Sequence, residues 1–421
     1  MPGAGPVPVP APRLARPRVL FLALADNVGC ERVIGEMALQ GARCAVLSPP
    51  GFYCTHTRFA ERRFALPPQL GIWLANVFVH ASLEVLARAW RPALIVPLDD
   101  VAASLMRGLA VRRRTSSKLR RILRASLGDP RGYAAASSRT RFLQLAESVG
   151  VRFPPSLPVG STAALMQTIA GWSWPVVAKI EGTCGGCGVS LAPDAAALHS
   201  AVAAGLDATS WSRWLKGTTK HTLWRVAGHF PPASQCVQVQ QFVRGRPAMR
   251  TVAALNGREL AGVSFLAECV HPEPTGSSTV LTPLDHDEME QASRRLVAAL
   301  GVSGIVSFDF IVEDGTGHAH VIEMNPRPIG ATHLGRLFGQ DVCGALIRAL
   351  GWPTATPAAI GGERPIAIAA FPKELERSPD SSWLTRDGTL HDVPWEDQPL
   401  LDAYLLRLDS IHPNAAQLIR R

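Results

Sequence analysis

The sequence predicts an α/β protein that opens with a Rossmann-like domain, and three observations lead there. An apolar run, "RVLFLAL" at 18–24, is followed by a helical pattern to Gln40 and then by a second apolar run, "ARCAVLS" at 42–48. Strand, helix, strand is the opening of a parallel sheet, because parallel neighbours need a crossover and a helix supplies it. A further strand, "ALIVPLDD" at 93–100, carries two acids at its carboxyl end. Finally, 421 residues, 47% of them hydrophobic, suffice for two or three domains with real cores.

Taken in order, the elements begin with residues 1–16, "MPGAGPVPVPAPRLAR". This Pro- and Ala-rich stretch lacks the apolar core of a signal peptide and reads as a disordered tail. The Rossmann-like region covers 17–130. It has no Gly-x-Gly-x-x-Gly after its first strand, so no dinucleotide site is assigned there. "LGIWLANVFVHASLEVLARAW" contains His80, Glu84 and Arg88, which mark it as an amphipathic helix. No uncharged apolar stretch of about 20 residues occurs, so no membrane span is expected. Most of the net charge of +9 sits between Arg107 and Arg124, where eight basic residues occur with no acid. No aromatic residue interleaves them and no nucleic-acid module accompanies them, so the run reads as a solvated helix face rather than a nucleic-acid surface.

Beyond 130, "SSRTRFLQLAESVGVRFPPS" reads as a helix capped by Ser137 or Ser138. Its apolar stripe is Phe142, Leu145, Ala146 and Val149, and Gly150 stops it. "WPVVAKIEGTCGGCGVSLA" reads as strand, glycine loop, strand, and "CVQVQQFVRG" (236–245) as a strand with a glycine turn. "RTVAALNGRELAGVSFLAE" (250–268) is a hairpin over Asn256-Gly257. A helix follows over roughly 286–300, then two strands meet around "EDGTG", and from about 354 the chain is a Pro- and Trp-containing C-terminal extension.

The glycine loop poses a choice. Its Cys184-x-x-Cys187 could be a redox or zinc motif, or the loop could wrap a phosphate. The eight cysteines (30, 44, 54, 184, 187, 236, 269 and 343) show no repeated spacing. A zinc site needs two further ligands nearby, and His199, His221 and His229 are loosely spaced. A thioredoxin-like context is missing as well. No disulfide framework is expected, and a reduced, cytoplasmic setting fits.

"GIVSFDFIVEDGTGHAHVIEMNPR" is the most informative stretch. Asp309 is the only acid in an apolar strand. Glu323 and Asn325 are two apart in the next strand, hence on one face and roughly 7 Å apart. Positions 309 and 323 are equidistant from residue 316, so a hairpin centred there sets Asp309 beside Glu323. Facing carboxylates repel, and a divalent cation between them resolves the conflict. Asp, Glu and Asn oxygens suit magnesium, which also takes phosphate oxygens. Acids on the wet side of a strand pair would account for Asp309 alone, but not for Glu-x-Asn-Pro-Arg directly after it.

"VIEMNPRPIGATHLG" resembles the metal-binding signature of the ATP-grasp superfamily, including its carboxylate–amine ligases and carbamoyl phosphate synthase large subunits. The resemblance extends over roughly 93–352. "SSRTRFLQLAESVGVRFP" is similar to the linker helix that begins with an ATP-contacting Lys. "WPVVAKIEGTCGGCGV" is similar to the phosphate-binding strand and its lid, and "VQVQQFVRG" to the adenine hinge. The fold implied is a two-lobed α+β ATP-grasp domain over 131–353, with lobes of about 131–238 and 239–353, after the Rossmann-like domain and before an extension at 354–421.

The resemblance implies roles residue by residue. Lys179 would hold the α/β-phosphates, and Arg139 stands at the linker's Lys position, with the charge kept and the reach altered. Gly182, Gly185, Gly186 and Gly188 would let backbone amides approach the β/γ-phosphates, which favours the phosphate reading of the loop over the thiol one. Gln240, Gln241, Phe242 and Val243 would line the adenine pocket, with Gln240 where an acid is usual. Asp309, Glu323 and Asn325 would bind one or two Mg²⁺ (or Mn²⁺). Arg327 would sit over the transferred phosphate and the substrate carboxylate, where its planar fork can hold two oxygens.

The reaction implied is attack of a carboxylate on the γ-phosphate of ATP, giving an acyl phosphate and ADP, then displacement of phosphate by a nucleophile, most often an amine. Competing readings are a bicarbonate-activating enzyme, a non-catalytic ATP-binding regulator and, last, a thiol oxidoreductase. No biotin-bearing Met-Lys-Met or glutaminase module is present. Expected partners are small carboxylates and amines, not nucleic acid or membrane. The oligomeric state stays open, a homodimer included. Arg250, Glu268 and His333 are candidate substrate-side residues, and each could equally be a surface or structural residue.

Overall fold

Four parallel strands, β1 (Arg18–Leu22), β2 (Arg43–Ser48), β3 (Ala60–Ala65) and β4 (Leu94–Pro97), lie in the order β3-β2-β1-β4. The computed structural model in which they are seen describes residues 16–67, 72–162, 165–180, 188–208, 236–354, 364–413 and 419. Strand β1 reads as one apolar run because both its faces are covered. Val19 and Phe21 pack with Val33, Ile34 and Met37 of α1 (Arg32–Leu39). On the other side, Leu20 and Leu22 pack with residues of α2 (Ile72–Ala89), α3 (Asp100–Val111) and α4 (Ser117–Leu127). The chain leaves β1 for β2 on one side and places β4 on the other, so a crevice opens at the carboxyl ends of β1 and β4. Asp99 closes the turn after β4: it accepts hydrogen bonds from Leu24 N (2.7 Å) and Ala102 N (2.8 Å), capping α3.

In the basic run, Arg112, Arg113 and Arg114 are exposed as expected. Arg120 differs. It turns back to donate to the carbonyls of Arg112, Arg113 and Thr115 at 2.8–3.2 Å, and Arg107 is buried against Ser137 Oγ (2.8 Å).

After α5 (Arg139–Ser148) comes a small antiparallel sheet with order β5-β8-β6-β7. Its strands are β5 (Ser156–Val159), β6 (Val176–Ile180), β7 (Val189–Ala192) and β8 (Val237–Gln241). The short α6 (Leu165–Thr168) and α7 (Ala195–Ala208) are its helices. Val176, Ala178, Val237 and Val239 form its core with Leu198 and Val202 of α7. Strand β8 crosses residues 238 and 239, so the lobe boundary drawn from the sequence there falls within one strand.

A seven-stranded sheet of order β13-β12-β9-β10-β11-β14-β15 dominates the rest. Its strands are β9 (Gly245–Leu255), β10 (Arg258–His271), β11 (Ser277–Pro283), β12 (Gly304–Glu313), β13 (Ala319–Asn325), β14 (Ala367–Ala369) and β15 (Thr389–His391). The β9–β10 hairpin turns at Asn256-Gly257, both at positive φ (50° and 76°). One face, with Val252, Phe308 and Phe310, is covered by α5 and by α8 (Asp287–Leu300), and Phe142 stacks on Phe308 with ring centroids 6.2 Å apart. The other face, with Ala253, Phe265 and Ile305, shares a core with α1, the N-terminal sheet and α9 (Val342–Ala349). The segment beyond 354 supplies β14 and β15 to this sheet. Its short helix α10 (Lys373–Arg377) and α11 (Gln398–Ile411) enclose a satellite core of Phe371, Leu375, Tyr404 and Leu408.

Residues 1–15 of the expected tail lie outside the described residues. Cys30, Cys44, Cys54, Cys236, Cys269 and Cys343 are free thiols. Among the described residues no helix is long and apolar enough to cross a membrane.

Candidate functional site

Strand β13 is the edge of the large sheet and pairs antiparallel with β12, placing Asp309 opposite Glu323 and Ser307 opposite Asn325. The ladder slips once: Phe310 pairs with Val321, leaving Ile322 as the extra residue of a bulge. That slip lets Val321 and Met324 both face the core beside Phe310 and Phe308, while Glu323 and Asn325 stay on the face of Asp309. Asn325 Nδ2 donates to Asp309 Oδ2 at 2.9 Å. Burial, and next the Glu323 carboxylate, push Asp309 up to about 6.

Arg139 is the first residue of α5, whose cap is Ser138, accepting from Arg141 N. The guanidinium spans two sheets. Nη2 pairs with Glu323 Oε1 at 2.9 Å, and Nη1 donates to the carbonyl of Ile180, at the end of β6, at 3.2 Å. Beside it, Lys179 stands opposite Gln238 on the sheet face turned away from Ala178 and Val239. Lys179 is buried, and its ammonium has no hydrogen bond or ion pair among the described residues. Burial, reinforced by Arg139, holds it down to about 8, against the pull of Glu323 and Asp309.

Gln240 lies on the Lys179 face and is buried, its Nε2 donating to Ser156 Oγ at 2.9 Å. By the two-residue alternation Gln241 points to the opposite face. Phe242 and Val243 follow the strand, and Phe242 is exposed. Gly188 has φ +75°, a conformation that favours glycine. Gly182, Gly185, Gly186, Cys184 and Cys187 lie outside the described residues.

Arg327 ties the large sheet to the N-terminal crevice. Its Nε and Nη2 reach Asp100 Oδ2 at 2.9 and 2.8 Å, Nη2 also donates to Asn325 Oδ1 (3.2 Å), and Nη1 donates to the carbonyl of Pro328 (3.2 Å). Asp100 is a member of this site that the sequence signalled only as an acid at a strand end.

Arg250, Glu268 and His333, left open between substrate-side and structural roles, each have partners within the fold. Arg250 pairs in register with Phe308, on the helix-covered face opposite Asp309. There it is enclosed by Glu259 (2.6 Å), Ser293 Oγ (2.9 Å) and Ser264 Oγ (3.1 Å). Glu268 is held by Arg246 and Thr282 at 2.5 and 2.8 Å. His333 is buried against Asp392, with Nε2 at 2.9 Å from Oδ2. Arg250 and Glu268 are lone charges in strands, which carry no mark of the face they occupy, and His333 lies in the turn Thr332–Phe338, so the sequence could not separate them from the cleft residues.

Among the described residues no group of three His, Cys, Asp or Glu side chains could hold a metal. The set here is two carboxylates and an amide, and it fits a hard cation. A buried carboxylate whose ionisation is suppressed by its neighbour gains most from a positive charge placed between the two.

An ATP-grasp domain model matches residues 217–331. The biotin carboxylase domain of a 2-oxoglutarate carboxylase from Hydrogenobacter thermophilus, solved with MgADP, ADP and bicarbonate, is similar over 80% of this chain and 70% of that one. Its TM-score is 0.58 at 12% identity. N5-carboxyaminoimidazole synthetase from Staphylococcus aureus, complexed with ADP, is similar over 80% and 79%, with TM-score 0.53 at 12% identity. L-amino acid ligase from Bacillus licheniformis is similar over 83% and 78%, with TM-score 0.53 at 14% identity. No curated protein matches the sequence. The domain match and these similarities show an ATP-grasp fold. At these identities the likeness to each solved structure is one of fold.

Proposed function

We propose that this chain is an ATP- and Mg²⁺-dependent, ADP-forming ligase that activates a small carboxylate as an acyl phosphate for attack by an amine. The observation that carries this reading is Arg139, which joins the end of β6 to Glu323 and so brings Lys179 and the Asp309–Glu323 pair into one buried group. A phosphate chain needs that juxtaposition of cations and metal-binding carboxylates. Asp309, Glu323 and Asn325 would hold Mg²⁺ or Mn²⁺, which neutralises phosphate charge when bound. Lys179 and Arg139 supply fixed positive charge to the nucleotide phosphates. The face that carries Gln238 and Gln240 borders the base. Arg327, fixed by Asp100 and Asn325, holds its charge where the transferred phosphoryl group and the acid meet. Most of the catalysis is then positioning and electrostatic stabilisation by groups already in place.

The test is ADP release measured against panels of common amino acids, other small acids and amines, with hydroxylamine added to trap the acyl phosphate as a hydroxamate. Acid-dependent ADP and hydroxamate support the ligase. ADP that depends on bicarbonate alone turns the reading to carboxy-phosphate chemistry, and ATP binding that never yields ADP turns it to regulation.

A further inference from the structure

Lys373 belongs to the stretch "FPKELERSPDSSWL", to which the sequence assigned no chemistry. Its backbone is firmly placed. Strand β14 pairs with β11 through Val280↔Ala369 and Leu281↔Ile368, and Ala370 N donates to Thr279 O at 2.8 Å. Phe371 and Leu375, on either side of the lysine, are buried in the core with Tyr404. From there the side chain reaches across to the loop that follows β13: a methyl group added to Gly330 would lie 3.6 Å from Lys373 Nζ. The loop after β1 closes the other side, where a methyl group on Gly29 would lie 3.2 Å from Gly330 Cα.

Lys373 therefore stands where the N-terminal crevice, the Arg327 loop and the C-terminal segment meet. Arg327, Cys30, Glu31 and Glu376 are its charged and titratable neighbours. None of them makes a hydrogen bond or ion pair to it, and it has none among the described residues. Each neighbouring acid already has partners. Both oxygens of Glu31 accept from Gly29 N, at 3.0 and 3.1 Å, and Glu376 is clamped by Arg407. Arg327 is likewise engaged by Asp100, Asn325 and Pro328 O. Lys373 and Arg327 thus repel one another across the meeting point of these segments, and the anion that would balance Lys373 is not supplied by the described residues. Burial lowers the affinity of its amine for a proton, as expected of a cation without a partner.

We propose that Lys373 and Arg327 form the subsite for the carboxylate of the acid substrate, with Lys373 as its available donor. This rests on the ligase reading above. The Lys179–Arg139 group gathers around Asp309 and Glu323, whereas Lys373 lies over Gly330 against the N-terminal domain. It is therefore placed for the acid rather than for the nucleotide. The C-terminal segment then completes the active site instead of only covering it.

Lys373→Met should raise KM for the acid by about ten- to a hundredfold, the scale of one charge-assisted hydrogen bond. KM for ATP and the melting temperature should stay close to wild type. Lys373→Arg, which keeps the charge, should recover part of the loss. An acid KM within about twofold of wild type in a folded Lys373→Met protein overturns the proposal. A second measurement uses the wild-type chain: trinitrobenzenesulfonate labelling of Lys373, read by peptide mass, with and without amino acids, acetate, succinate or bicarbonate. Protection by at least one acid, and none by ATP alone, is expected. If no acid supports ADP formation the ligase reading fails, and the labelling still decides the subsite: protection upholds it, and absence of protection by every acid overturns it. The same arm decides if Lys373→Met does not fold.

Discussion

Two buried arginines, Arg250 in strand β9 and Arg139 at the start of α5, show two ways in which this chain holds a buried charge. Arg250 is closed in. Glu259, Ser293 and Ser264 take its donors, and Ser293 Oγ in turn donates to Glu259 at 2.6 Å. Arg139, on the cleft side, bonds Glu323 and the Ile180 carbonyl, but the group around it remains electrically unfinished. Lys179 has no bonded partner among the described residues, and Asp309 is held away from its ordinary ionisation. A network that satisfies its own charges stabilises a fold, and one that does not is prepared for a ligand.

The largest expected effect tests the unfinished side. Glu323→Gln keeps the volume and removes the charge, so Mg²⁺-dependent ADP formation should fall on the order of a hundred- to a thousandfold, as when one preorganised charge-stabilising group is lost. Thermal unfolding should shift by a few degrees at most. Steady-state ADP release within a few-fold of wild type would remove the metal-binding role.

On the closed side the loss should appear as stability instead. Arg250→Met leaves Glu259 buried without its cation, which costs about 3–5 kcal/mol. Activity per folded molecule, measured well below the melting transition, should change little. A Met variant that melts normally yet turns over slowly would exchange the assignments of the two arginines and restore Arg250 to the substrate side.

The same contrast explains what could be read from the sequence. Asp309 and Glu323 were legible as a pair because their hairpin is local and the turn lies midway between them. The bulge at Ile322 was not, since it shows only as the spacing of Ala319, Val321 and Met324 along the core face. Arg250 could not be assigned from the sequence, because one charge inside an apolar strand looks the same on either face. The place of the C-terminal segment was hidden by distance along the chain: β14 pairs with β11, which ends at Pro283. No local pattern reports such a pairing, and Lys373 depends on it. Gln240 was legible as part of a strand, but not its bond to Ser156, which joins strands far apart in sequence.

The smallest expected effect concerns Glu31, an acid that the structure buries near Lys373 and Arg327. Burial raises it from an ordinary 4.5 to about 7, against the hydrogen bonds it accepts. Between those two values the folded chain keeps a proton that the unfolded chain has released. Stability contributed by this group is therefore full below about pH 4.5 and is lost as the pH rises to about 7, by about 3 kcal/mol at most. Glu31→Gln is neutral throughout and can still accept from Gly29 N. It should match wild type near pH 4.5 and exceed it at pH 8, with a flatter dependence between. Urea unfolding at the two pH values measures the difference. Parallel curves for the two proteins would mean that Glu31 ionises in the folded chain as it does in the unfolded one, whereas a diverging pair shows that burial keeps it protonated beside Lys373.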